Sequence, residues 1–166
     1  MKMEYLVYYT IGYNIQYLDI LELSIHTLRM FQPSIDVLVL CDASMEAECR
    51  RRIPHIYIKT FENSKTPQAS SMQKLKVFEW DGIYKYKKVL FIDSDIIIHR
   101  ELNNIFNGII NEERLYVYTE NIDLNNHNNI WWSLQKYTPE ILEFFKYHNI
   151  FPFNAGCFGF VVNNIM

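Results

Sequence analysis

Asp93 and Asp95 stand one residue apart in KKVLFIDSDIIIHR, with Val89-Leu90-Phe91-Ile92 before them and Ile96-Ile97-Ile98 after. Two carboxylates that close repel each other, and one pKa rises unless a cation lies between them. In an extended DxD both side chains point the same way, because the strand period is two. A hard divalent ion, Mg²⁺ or Mn²⁺, suits such a pair and leaves coordination positions open for phosphate oxygens. Asp and Ser also favour turns, so an isolated Asp-Ser-Asp reads as a turn between strands; the apolar runs on both sides favour metal binding instead. Lys74, in QASSMQKLKVF, is the candidate cation for phosphate charge, with a solvated helix lysine as the alternative. Neither GxGxxG nor GxxxxGK[ST] occurs, so the dinucleotide-binding and P-loop routes to phosphate lack their residues.

The elements that must position these residues alternate between strand and helix. Tyr5 to Thr10 reads as a buried strand, Ile11 to Gln16 as a loop, and Tyr17 to Phe31 as a helix with Leu18, Leu21, Ile25 and Leu28 at helical spacing and Pro33 beyond its end. A strand from Ile35 to Cys41 leads through Asp42 to a short helix with Ser44 as N-cap, and a third strand runs from His55 to Lys59. The polar loop Glu62 to Ala69 precedes a helix from Ser70 to Trp80 with Met72, Leu75, Val77 and Phe78 facing inward. Lys88 to Asp93 is the central strand. Beyond it the pattern predicts a helix at Glu101 to Phe106, a strand at Arg114 to Thr119, an Asn-rich loop at Asn121 to Asn129, helical segments at Trp131 to Gln135 and Pro139 to His148, and a strand at Phe158 to Val162. This order predicts an α/β domain over residues 1–166, a mostly parallel sheet covered on both faces. Ligands of such sheets collect at the carboxyl ends of the strands, where Asp93 and Asp95 fall.

Bulk properties remove several function classes. A chain of 166 residues, 49% hydrophobic and 21% charged, can bury a real core. Its net charge of −3 and scattered Lys and Arg leave no basic face for nucleic acid. Three cysteines, Cys41, Cys49 and Cys157, lack CxxC spacing, which fits free thiols in a reducing, cytoplasmic compartment. No run approaches the roughly 18 apolar residues of a membrane helix, and the first residues do not form a signal peptide. Aromatic residues make up 16% of the chain, enough for ring stacking on a ligand but also accounted for by packing.

Taken in order, YYTIGYNIQYLDILELSIHTLR, MQKLKVF, VLFIDSDIII and FNAGCFGFVVN resemble the GT-A-type glycosyltransferases of the glycogenin-like family, glycosyltransferase family 8, over nearly the whole chain. Members use nucleotide-sugar donors and a DxD-bound manganese. The resemblance implies a GT-A, Rossmann-like fold in which Thr10, Ile11, Asn14 and Tyr17 hold the nucleoside, Tyr17 stacking on uracil. It implies that Lys74 contacts the donor's phosphate or sugar and that Asp93 and Asp95 take Mn²⁺ or Mg²⁺, with Ser94 among the donor contacts. Phe153, Asn154, Ala155 and Gly156 fall on the block that lines the sugar pocket. Read as residues alone, Gly156 permits close backbone approach and Asn154 offers a donor and acceptors, while a turn into a buried strand accounts for the same block.

The implied activity is metal-dependent transfer of a sugar from a UDP-sugar, with retention of configuration, to a glycan or protein-linked glycan acceptor. The chain is also similar to glycosyltransferase domains of large algal DNA viruses, which implies a host cytoplasm as its setting. The family's histidine ligand lies in a C-terminal HxxGxxKPW block with no counterpart here, and His26, His55, His99, His127 and His148 all lack that context. The resemblance therefore implies a C-terminally truncated domain. Two alternatives share the same residues: a haloacid-dehalogenase-type phosphohydrolase, whose DxD strand normally comes near the N-terminus, and a non-catalytic sugar-nucleotide-binding remnant.

Overall fold

Apolar runs too continuous for a half-exposed strand build the middle of the sheet. The computed structural model describes residues 3–110, 114–119, 138–148 and 153–162. Its strands are β1 (Met3–Ile11), β2 (Asp36–Asp42), β3 (Tyr57–Phe61), β4 (Tyr86–Ile92), β5 (Tyr116–Thr119) and β6 (Phe153–Val161), in the order β3-β2-β1-β4-β6-β5. The first four are mutually parallel and β6 runs antiparallel to β4. Register pairs Ile11 with Cys41, Tyr8 with Phe91 and Ile92 with Cys157. The carboxyl ends of β1, β2 and β4 therefore point the same way, and Cys157, midway along β6, pairs with the last residue of β4.

By compactness the chain falls into two units, Met1–Tyr116 with Gly156–Met166, and Val117–Ala155. In the first, Val7, Tyr9, Val37, Val39, Leu90 and Ile92 share one core with Leu18, Leu21, Ile25 and Leu28 of helix α1 (Tyr17–Phe31). Leu6, Tyr8, Leu38, Leu40, Val89 and Phe91 alternate with them onto the opposite face and are also buried. Burial of both faces is the pattern of a parallel sheet flanked by helices. Each fully buried leucine contributes about 1.5–3 kcal/mol relative to exposure. Helix α4 (Asn103–Gly108) adds Phe106, whose ring stacks on Tyr5 with centroids 4.3 Å apart.

Several predicted elements differ from the observed ones. Ser44 is not an N-cap: it lies inside a 3-10 turn, Ala43–Met45, and its N–H donates to Asn63 Oδ1 at 3.0 Å, while helix α2 (Glu46–Arg52) is preceded by Met45. The single helix expected from Ser70 to Trp80 is instead α3 (Pro67–Met72), with Pro67 in its first turn and Thr66 accepting the Ala69 N–H at 3.1 Å, followed by 3-10 segments at Gln73–Glu79 and Asp81–Lys85. Val77 is buried as expected, but Met72, Leu75 and Phe78 are exposed. At three residues per turn Leu75 and Phe78, both in the segment Gln73–Glu79, eclipse along one edge, and that edge faces outward. β3 begins two residues later than predicted and β6 reaches back to Phe153.

In the second unit, helix α5 (Pro139–Tyr147) starts on a proline and buries Leu142, with Lys146 and Glu143 paired at 3.1 Å. The predicted Asn-rich loop and the helix at Trp131 to Gln135 lie outside the described residues. Among the described residues no helix is long and apolar enough to cross a membrane.

Candidate active site

Three loops converge where β1, β2 and β4 end. The β1–α1 loop leaves Ile11 through the buried Gly12 and the exposed Tyr13, whose φ of 68° is left-handed. Asn14 closes that turn: its N–H donates to the Gly12 carbonyl at 2.7 Å and its Oδ1 accepts the Gln16 N–H at 3.0 Å, an Asx turn that starts α1. Gly12 packs tightly: a Cβ there would meet Ser70 Oγ at 2.7 Å and the Asp42 carboxyl at 3.0 Å, so those side chains would have to shift. Between this loop, α3 and the end of β4 lies a cleft of about 190 Å³. Its lining comes from Thr10, Ile11, Gly12, Tyr13 and Tyr17, from Pro67, Ser70 and Ser71, and from Asp93 and Ser94.

The paired aspartates do not continue β4. The strand ends at Ile92, and the Ile96 N–H donates to the Asp93 carbonyl at 3.1 Å, so Asp93-Ser94-Asp95-Ile96 is a turn. The extended geometry expected from strand alternation is overturned, and the carboxylates owe their directions to the turn. Asp93 is anchored by its own N–H, which donates to the Gly156 carbonyl at 2.7 Å. Burial pushes the Asp93 carboxyl above its ordinary range; the Lys74 ammonium opposes that rise and the Asp95 charge adds to it. Lys74 Nζ sits 3.8 Å from Asp93 Oδ1 and 4.8 Å above the Phe91 ring centre. Only 14% of the Lys74 side chain is exposed, against 42% for Asp93. Asp95 is exposed on the turn.

Behind the cleft lies a buried carboxylate that the sequence reading passed over. Asp42, at the end of β2 and 2% exposed, accepts the Tyr13 N–H on Oδ2 at 2.7 Å. Its Oδ1 accepts from Ser64 Oγ at 2.9 Å and Gln73 Nε2 at 2.5 Å. Burial alone raises its pKa, but these donors outweigh burial and hold the carboxyl below the ordinary range. A signal for Asp42 was present, since like Asp93 it directly follows an unbroken apolar strand. Gly12, Tyr13, Ser70 and Ser71 were missed too; the glycine at a strand-to-helix turn was the cue available.

The structure thus gathers Thr10, Ile11, Tyr17, Asp93 and Ser94 around one cleft and sets Lys74 and the Gly156 backbone against Asp93. Asn14 serves the start of α1 and is not among the cleft's lining residues. Asn154 and Ala155 are exposed residues of β6 in the second unit. Among the described residues no group of three or more His, Cys, Asp or Glu is placed to hold a metal.

This fold has solved counterparts. The galactosyltransferase LgtC, in complex with donor and acceptor sugar analogues, is similar at a TM-score of 0.60 and 16% identity, over 93% of this chain and 57% of that one. The glycosyltransferase GlyE of Streptococcus pneumoniae TIGR4 is similar at a TM-score of 0.57 and 14% identity, over 98% of this chain and 35% of that one. The chain therefore spans less than two thirds of the length of either. Identities so low establish the fold alone, which is GT-A. No curated protein sequence matches. The profile of glycosyl transferase family 8 matches residues 10–164.

Proposed function

The chain belongs to glycosyl transferase family 8, and on that premise we propose that it moves a sugar from a UDP-sugar to a hydroxyl of a glycan or protein-linked glycan, with retention of configuration and dependence on a divalent metal. One juxtaposition carries the proposal: the Asp93–Asp95 turn, Lys74 and the cleft beside the β1–α1 loop meet at the same end of the sheet. In this reading the nucleoside occupies the cleft against Tyr17 and Tyr13, and the diphosphate reaches toward the turn. The cleft has the Thr10, Ser70 and Ser71 hydroxyls to meet ribose or base polar groups.

The donor set fits Mn²⁺ or Mg²⁺. Asp93 and Asp95 would supply hard oxygen ligands from one turn, and burial, the main cause of the raised Asp93 pKa, leaves a carboxylate that a bound cation would stabilise in its charged form. When bound there, a divalent ion supplies Lewis-acid stabilisation of the departing diphosphate. The chain's own residues do the rest. Lys74, held by burial and by the Phe91 ring, presents a fixed positive charge where the leaving group gains negative charge. The Gly156 carbonyl fixes the turn through the Asp93 N–H, so the carboxylates need little reorganisation. A cytoplasmic setting belongs to the same proposal and is supported by three free cysteines.

The test is UDP release from a panel of UDP-sugars, with and without Mn²⁺ and glycan acceptors. The expected outcome is release from one donor, stimulated by acceptor and abolished by chelation. Turnover of a generic phosphoester without preference for UDP would identify a phosphohydrolase, and UDP binding without release from any donor would identify a non-catalytic binding module.

A further inference from the structure

A carboxylate buried without a cation must be met by hydrogen-bond donors, and the segments that provide them become tied to it. Asp42 is such a group. Its donors among the described residues come from the β1–α1 loop (Tyr13), from the segment after β3 (Ser64) and from the 3-10 segment after α3 (Gln73). No ion pair to Asp42 is found among the described residues. The loop comes so close that a Cβ at position 12 would lie 3.0 Å from the carboxyl.

The orientation of Gln73 follows from the same charge. Its amide nitrogen serves both Asp42 Oδ1 and Ser64 Oγ, the latter at 2.8 Å, while its buried Oε1 has no partner among the described residues. A neutral neighbour would allow the amide to turn round; a carboxylate, which only accepts, does not. Gln73 directly precedes Lys74, whose backbone carbonyl accepts the Tyr8 hydroxyl at 3.0 Å and whose ammonium faces Asp93.

Resting on the transferase reading above, we propose that Asp42 is a positioning residue for the donor site. It touches no substrate. Its carboxylate holds the Gly12–Tyr13 wall of the cleft on one side and, through Gln73, the segment that carries Lys74 on the other. The ligand positioned this way is the nucleoside diphosphate portion of the donor.

Two readouts on Asp42→Ala test this, with folding checked by circular dichroism. Hydrogen exchange at the Tyr13 amide should accelerate at least tenfold, and the donor KM should rise at least tenfold while kcat falls by a smaller factor. Asp42→Asn should recover most of both losses, because its oxygen can accept the Tyr13 N–H while Gln73 turns to present Oε1 to the new amide. If Asp42→Ala does not fold, Asp42→Ser, whose single hydroxyl cannot serve Tyr13 and Gln73 together, is measured the same way. Unchanged Tyr13 exchange, or an unchanged KM in an active folded variant, overturns the proposal. A wild-type chain that releases no UDP contradicts the transferase reading instead, and the Tyr13 exchange still decides whether Asp42 holds the loop.

Discussion

Asp95→Ala is expected to lower sugar transfer by about two to three orders of magnitude, the usual cost of removing one preorganised group that stabilises charge in the transition state. The same change should barely touch stability. Asp95 is exposed on a turn, and the described residues give it no hydrogen bond or ion pair. A surface substitution of this kind shifts stability by about 0.5 kcal/mol or less, which moves Tm by about 2 °C in a chain of this size. Removing it also relieves the repulsion that Asp95 exerts on Asp93. A transfer assay with a thermal melt on the same sample separates the two effects. Transfer within tenfold of wild type would remove Asp95 from the mechanism.

Lys74→Met is expected to cost about a hundredfold, mainly in kcat, because positive charge near the departing diphosphate matters most when negative charge develops there. Methionine keeps an unbranched stem against Phe91 and deletes the charge, so packing is largely preserved. The Lys74–Asp93 pair is partly exposed, and at 3.8 Å it is long, so its loss should cost less than about 1 kcal/mol of stability. Steady-state kinetics distinguish this from a binding defect: a rise in KM with unchanged kcat would mean that Lys74 only helps hold the donor.

Local periodicity made much of the fold legible. Helix α1 begins and ends where Leu18, Leu21, Ile25 and Leu28 predict, because one apolar stripe meets the sheet and the loop geometry at Asn14 and the chain turn at Gln32 bound it. β4 was recognised from its apolar run and the parallel α/β sheet from the order of elements, while GT-A came from the resemblance of four motif blocks to a known family. Where chain geometry departs from the two standard periods, sequence pattern misled. Leu75 and Phe78 stand three residues apart, and in the 3-10 segment Gln73–Glu79 they share one edge, which is exposed.

The candidate site shows the same division. Asp93 and Lys74 could be picked out because their types and neighbours are unusual, and they do meet. The shape of the DxD could not be, since Asp-Ser-Asp suits a turn as well as a strand and the bond from Ile96 to Asp93 decides it. Asp42 and Gln73 escaped notice because their significance depends on partners 29 and 31 residues away in sequence. A buried glutamine inside a run that looks like a helix face carries no local mark of the carboxylate that orients it.

The most direct measurement is an anomalous difference map at the manganese edge from crystals grown with Mn²⁺ and UDP. The account predicts a peak bonded to both Asp93 and Asp95, with the diphosphate beside it and the uracil ring in the cleft against Tyr13 and Tyr17. A manganese bonded to neither carboxylate, or UDP bound away from that cleft, would contradict it.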